Sequence, residues 1–113
     1  GRLLNDARLV EIGTTALSLV SREKDVGLNG IYTIDFKEDR NGIPKITEVN
    51  IRHVAFTSSF AAAGANLPLL TLLKLFDETD RTEETIHYIF SENYVFLRDV
   101  DAMPVLLKES ELF

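Results

Sequence analysis

Three residues near the middle of this chain, Asp35, Glu48 and Asn50, have the types and spacing of a divalent-cation site, and Arg52 follows with a side chain suited to a phosphate or carboxylate. Asp35 lies in the alternating run Ile31-Tyr32-Thr33-Ile34-Asp35-Phe36-Lys37. The other three lie in Pro44-Lys45-Ile46-Thr47-Glu48-Val49-Asn50-Ile51-Arg52. Alternation with period two predicts β-strands, and the polar stretch between them, Glu38 to Ile43, contains Asn41-Gly42. That dipeptide is the strongest short hairpin signal, because a type I′ turn needs positive φ at both central positions. With Asn41-Gly42 as the whole loop, Glu38 faces Lys45, Phe36 faces Thr47, Ile34 faces Val49 and Tyr32 faces Ile51. The opposite face sets Thr33, Asp35 and Lys37 against Asn50, Glu48 and Ile46.

In that register Asp35 lies directly across from Glu48, and like charges so placed repel. A cation between them removes the repulsion, and Asn50, two residues beyond Glu48, adds a neutral oxygen on the same face. Three hard oxygen donors without histidine or cysteine suit Mg²⁺ or Mn²⁺ rather than zinc. Arg52 has the same parity, so a strand that continues so far holds its guanidinium over the same face, ready for a phosphate or carboxylate. The competing reading is a solvated polar face. A longer loop would also shift the register and separate the two acids.

Taken together, these residues resemble the metal-binding end of the ATP-grasp fold, in the carbamoyl-phosphate synthase large-chain-like branch of the carboxylate–amine ligases. The likeness rests on Ile34-Asp35-Phe36, the turn with Gly42, and Ile46-Thr47-Glu48-Val49-Asn50-Ile51-Arg52. Gly64-Ala65-Asn66-Leu67-Pro68 follows as the entry to a helix. It covers roughly residues 9 to 75. The resemblance implies that Asp35, Glu48 and Asn50 hold the Mg²⁺ ions bridging the phosphates of ATP, with Glu48 shared between two ions. It implies that Arg52 faces the acyl phosphate or the transferring group, as the candidate catalytic residue. The family's glycine-rich loop, ATP-contacting lysines and adenine pocket lie upstream of the matched region. The expectation is therefore the C-terminal part of an ATP-grasp domain, inactive without its N-terminal partner.

Other features bound the reading. Neither common phosphate-loop pattern, G-x-x-x-x-G-K-[ST] or G-x-G-x-x-G, is present. The sole methionine is Met103, and a piece of a longer protein is expected. A formal charge of −6 argues against nucleic acid or an anionic membrane as partner. The absence of cysteine excludes disulfides and thiolate metal sites and is compatible with a cytoplasmic setting. The most apolar stretch, Phe60 to Phe76, is interrupted by Asn66, Pro68 and Lys74, which suits a buried helix rather than a membrane span.

The elements expected to position the site form one α+β domain over residues 1–113, an antiparallel sheet with two main helices. Asn5 to Glu23 reads as a helix capped by Asn5, with an apolar stripe of Leu9, Ile12, Ala16, Leu19 and Val20. Gly13 inside it suggests close packing on the hairpin's apolar face. His53, Thr57, Ser58 and Ser59 read as loop and capping residues, followed by a short helix ending at Gly64. Asn66 and Pro68 open a helix to about Phe76 that is leucine-rich almost all round. In so short a chain this helix is expected to meet the missing half of the domain or a second copy. Residues 77–84 read as an acidic surface connection, and residues 85–98 as one broken strand or two short ones divided at Ser91-Glu92-Asn93. Residues 104–113 read as a tail that pairs as a strand or frays.

Overall fold

The computed structural model describes residues 1–76, 87–97 and 104–112. The protein is a small α+β chain with two two-stranded antiparallel sheets and three α-helices among the described residues. Its chain groups into two compact units, one of residues 6–54 and one of residues 1–5 with 55–113.

The first unit holds α1 (Ala7–Lys24), β1 (Thr33–Glu38) and β2 (Pro44–Asn50). Asp6, not Asn5, caps α1: its carboxylate accepts from the Arg8 backbone N–H at 3.0 Å. The same carboxylate takes two bonds from the Arg8 guanidinium, at 3.1 and 2.7 Å. The Arg8 hydrogen bonds hold the Asp6 carboxyl below its ordinary value. At its other end α1 stops where Asp25 turns left-handed (φ 50°), and Val26 is tied back to Ser21 through both backbone and hydroxyl. Leu9, Ile12, Ala16 and Leu17 are half-buried, whereas Val10, Leu19 and Val20 are about half exposed. Gly13 is the buried residue of α1, and a Cβ there would come within 3.0 Å of Ile34 Cδ1 and 3.8 Å of Phe36 Cζ. The helix thus lies on the Ile34–Phe36 side of β1, as the sequence pattern predicts.

The second unit holds α2 (Thr57–Ala62), α3 (Leu67–Phe76), β3 (Tyr94–Leu97), β4 (Val105–Lys108) and a 3₁₀ turn at Glu109–Glu111. No side chain caps the start of α2. Its end is closed by Gly64 N–H on the Ala61 carbonyl and Ala65 N–H on the Phe60 carbonyl, with Gly64 at φ 105°. This paired closure is the Schellman arrangement, which favours glycine. Asn66 caps α3, its side-chain oxygen accepting from Leu69 N–H at 3.1 Å. None of α3 is buried: Leu69, Leu72, Leu73, Leu75 and Phe76 are each 49% exposed or more.

β3 and β4 pair in register from Tyr94–Lys108 to Leu97–Val105, so residues 105–108 of the expected tail do form a strand. Tyr88, Ile89 and Phe90, expected to be extended in a sheet, lie outside any strand. Instead Phe90 stacks on Phe60 and exchanges two hydrogen bonds with the Asn5 side chain, at 2.7 and 2.9 Å. Residues 1–3 run antiparallel beside β3 through Gly1–Phe96, Arg2–Val95 and Leu3–Tyr94, with Arg2 paired to Glu109. Among the described residues of this unit, the buried positions are Leu3, Ser59 and Ala65. The acidic connection expected at residues 77–84 lies outside the described residues.

Candidate functional site

Thr33 pairs with Asn50, Ile34 with Val49 and Asp35 with Glu48 across β1 and β2, as the residue pattern predicts. Directly opposed residues share a face of a sheet, with Cβ atoms about 4.5–5.5 Å apart. Asp35, Glu48 and Asn50 therefore stand on one side of the hairpin, away from the Ile34–Phe36 side that receives Gly13 of α1. Both carboxylate residues are exposed and Asn50 is half-buried.

The route to this register differs from the expected one. The loop is not the two-residue Asn41-Gly42 turn. Asp39 N–H donates to the Ile43 carbonyl at 2.9 Å and Gly42 N–H to the Asp39 carbonyl at 3.0 Å, which leaves a three-residue loop of Arg40, Asn41 and Gly42. Gly42 is left-handed at φ 72°, whereas Asn41 is not, so a type I turn with a following left-handed glycine replaces the type I′ turn. The Asp39 carboxylate holds the loop by accepting from Asn41 N–H at 2.8 Å and Ile43 N–H at 3.1 Å. Those two bonds lower its pKa, the Ile43 bond first.

A three-residue loop shifts every pairing near the turn by one. Phe36 faces Ile46, Lys37 faces Lys45 and Glu38 faces Pro44. The expected Phe36–Thr47, Lys37–Ile46 and Glu38–Lys45 pairs are thereby corrected. A β-bulge between Asp35 and Phe36 then absorbs one residue of β2, Thr47, and restores the pairing from Asp35–Glu48 outward. The physical reason lies in the apolar residues. Ile46 and Val49 are three apart, so a regular strand would put them on opposite faces. The extra residue lets both join Ile34 and Phe36.

The same shift carries Lys45 onto the acidic face, beside Lys37. Sequence reasoning missed this residue, and the signal available was the Ile46–Val49 spacing. Lys45 Nζ also lies 3.9 Å from an Asp39 oxygen. The face thus reads, from the turn outward, Lys37 with Lys45, Asp35 with Glu48, and Thr33 with Asn50. Two acids and an amide oxygen can hold a hard cation there, and two ammonium groups next to them suit phosphate oxygens.

Arg52 does not continue the face. β2 ends at Asn50, and residues 51 and 52 bend away from strand geometry. The Arg52 guanidinium donates to the His53 carbonyl at 3.2 Å, while its own carbonyl accepts from the Thr33 hydroxyl at 3.3 Å. Arg52 is therefore near the open end of the hairpin through its backbone, with its side chain folded onto the following residue. His53 is exposed.

Among the described residues, no three or more His, Cys, Asp or Glu side chains converge as a metal-binding group. The set on this face comprises two carboxylates and an amide. Also among the described residues, no helix is long and apolar enough to cross a membrane. Compared with protein-family models, curated proteins and solved structures, the chain matches none.

Proposed function

We propose that this chain is the Mg²⁺- and ATP-binding C-terminal part of an ATP-dependent carboxylate–amine ligase of the ATP-grasp type, acting through an acyl phosphate and working in the cytoplasm. The observation that carries the reading is the pairing of Asp35 with Glu48 on the face that also holds Asn50. In such a reaction ATP phosphorylates a carboxylate and an amine then displaces phosphate. Phosphoryl transfer depends chiefly on positioning and charge neutralisation, which divalent ions bridging phosphate oxygens supply. Asp35, Glu48 and Asn50 would hold Mg²⁺ or Mn²⁺, and Lys37 and Lys45 would meet phosphate oxygens. Arg52 would have to leave the His53 carbonyl to reach the transferring group. The N-terminal part of the domain would supply the adenine pocket, so the chain alone is inactive. The test is Mn²⁺ binding by the full chain, with and without ATP. Asp35→Ala, Glu48→Ala and Asn50→Ala should each weaken it at least tenfold, and equal binding by all three variants would refute the reading.

A second reading has its own support in α3, whose exposed Leu69, Leu72, Leu73 and Phe76 follow helical spacing. Here the chain is a non-catalytic association module with a vestigial metal face, and α3 pairs with a second copy. It predicts oligomers that depend on concentration and ignore Mg²⁺ and nucleotide. A chain that stays monomeric by light scattering would remove it.

A further inference from the structure

We infer that Thr47 is a positioning residue that decides whether Glu48 stands opposite Asp35. The apolar pattern alone does not decide it. Ile46 faces Phe36 and Val49 faces Ile34, and both pairings are kept by one extra residue anywhere between Ile46 and Val49. Only two positions qualify. With Thr47 as the extra residue, Glu48 faces Asp35. With Glu48 as the extra residue, Thr47 faces Asp35 and the Glu48 carboxylate leaves the pair. The Ile34–Val49 and Phe36–Ile46 pairs are kept in both.

Electrostatics favours the second arrangement, because it separates two like charges that stand directly opposite. The structure adopts the first, and the local contact that distinguishes it is the Thr47 hydroxyl donating to the Asp35 carbonyl at 3.1 Å. One hydrogen bond from the bulged residue thus opposes the repulsion of the acid pair. Bulges commonly re-aim a side chain in this way beside functional sites. The consequence for metal binding rests on the ligase reading above; the pairing itself does not.

The experiment follows cross-strand backbone nuclear Overhauser effects from Asp35 in the full metal-free chain, with Mn²⁺ affinity measured separately. In the native chain and in Thr47→Ser these contacts should reach Glu48. In Thr47→Val the hydroxyl is lost while β-propensity is kept, and the population should move by about fivefold toward the register in which position 47 faces Asp35. Deleting Thr47 should retain the Asp35–Glu48 contact, since a strand without the extra residue has one way to satisfy both apolar pairs. A Thr47→Val chain with undiminished Asp35–Glu48 contacts would overturn the inference. So would a deletion chain that loses them, which keeps the proposal testable if the valine variant does not fold. Should the contacts move as expected while the native chain binds no Mn²⁺, the metal reading fails and the role of Thr47 stands.

Discussion

Asp35 lies directly across the β1–β2 ladder from Glu48, and the ion pairs that the described residues make with one another, Arg2–Glu109, Arg8–Asp6 and Lys45–Asp39, leave both acids out. The nearest positive charges on that face are the neighbouring Lys37 and Lys45 positions. Glu48→Gln should therefore stabilise the metal-free hairpin by roughly 0.5 kcal/mol, the scale of a cross-strand charge pair. The same substitution should lower Mn²⁺ affinity. Denaturant unfolding with and without the ion checks both signs, because a solvated face with no metal role would show the first effect alone.

Gly13 of α1 lies against β1, where an added Cβ would stand 3.0 Å from the terminal methyl of Ile34. Alanine gains about 1 kcal/mol of helix propensity over glycine. The Ile34 methyl can swing aside but loses part of its packing in doing so. Gly13→Ala should leave stability within about 0.5 kcal/mol of the native chain, whereas Gly13→Leu should destabilise by about 1–3 kcal/mol through overpacking. Thermal unfolding followed by circular dichroism separates the two.

Gly42 adopts φ 72° with nothing near an added Cβ, so the penalty of substitution there is purely conformational. Gly42→Ala should cost about 1 kcal/mol, and Gly42→Asn less, because asparagine tolerates the left-handed region. Chemical denaturation of the two variants provides the comparison.

Asp39 holds the loop through Ile43 and Asn41 N–H groups, which lower its pKa from the ordinary 3.8. A carboxylate whose folded value is depressed contributes fully above the unfolded value, and that contribution is lost as pH falls through the folded value. The hairpin should thus loosen below about pH 4 in the native chain. In Asp39→Ala that pH step should vanish, with the loop loose throughout. Amide exchange at Asn41 and Ile43 reads the difference directly.

Asp6 follows the same sign, its carboxyl lowered chiefly by the Arg8 side chain. Asp6→Ala should fray the first turn of α1, and Asp6→Asn should retain the cap while losing the ion pair. The exchange protection of Arg8 N–H distinguishes the variants.

Residue types and their periodicity were enough to locate α1, α3, the hairpin and the Asn66 cap. Each depends on local propensity or on a pattern of period two or 3.6. The Asp35–Glu48 pairing was reached with the wrong turn, because a loop longer by one and a bulge of one offset each other. The Ile46–Val49 spacing held that information, but only a helix resting on Ile34 and Phe36 makes it binding. Lys45 reached the acidic face by the same route.

Long-range partners decided what periodicity does not encode. Asn5 had the chemistry of a helix cap, yet it bonds to Phe90, 85 residues away, and Asp6 caps α1 in its place. Residues 88–90 had the composition of a strand but lie outside any strand, and Phe90 takes an aromatic stack and an amide clamp instead. Residues 1–3 gained a place beside β3 that no short motif announces. Local sequence can offer a side chain or a backbone edge for bonding; which distant group accepts it depends on where folding brings that group.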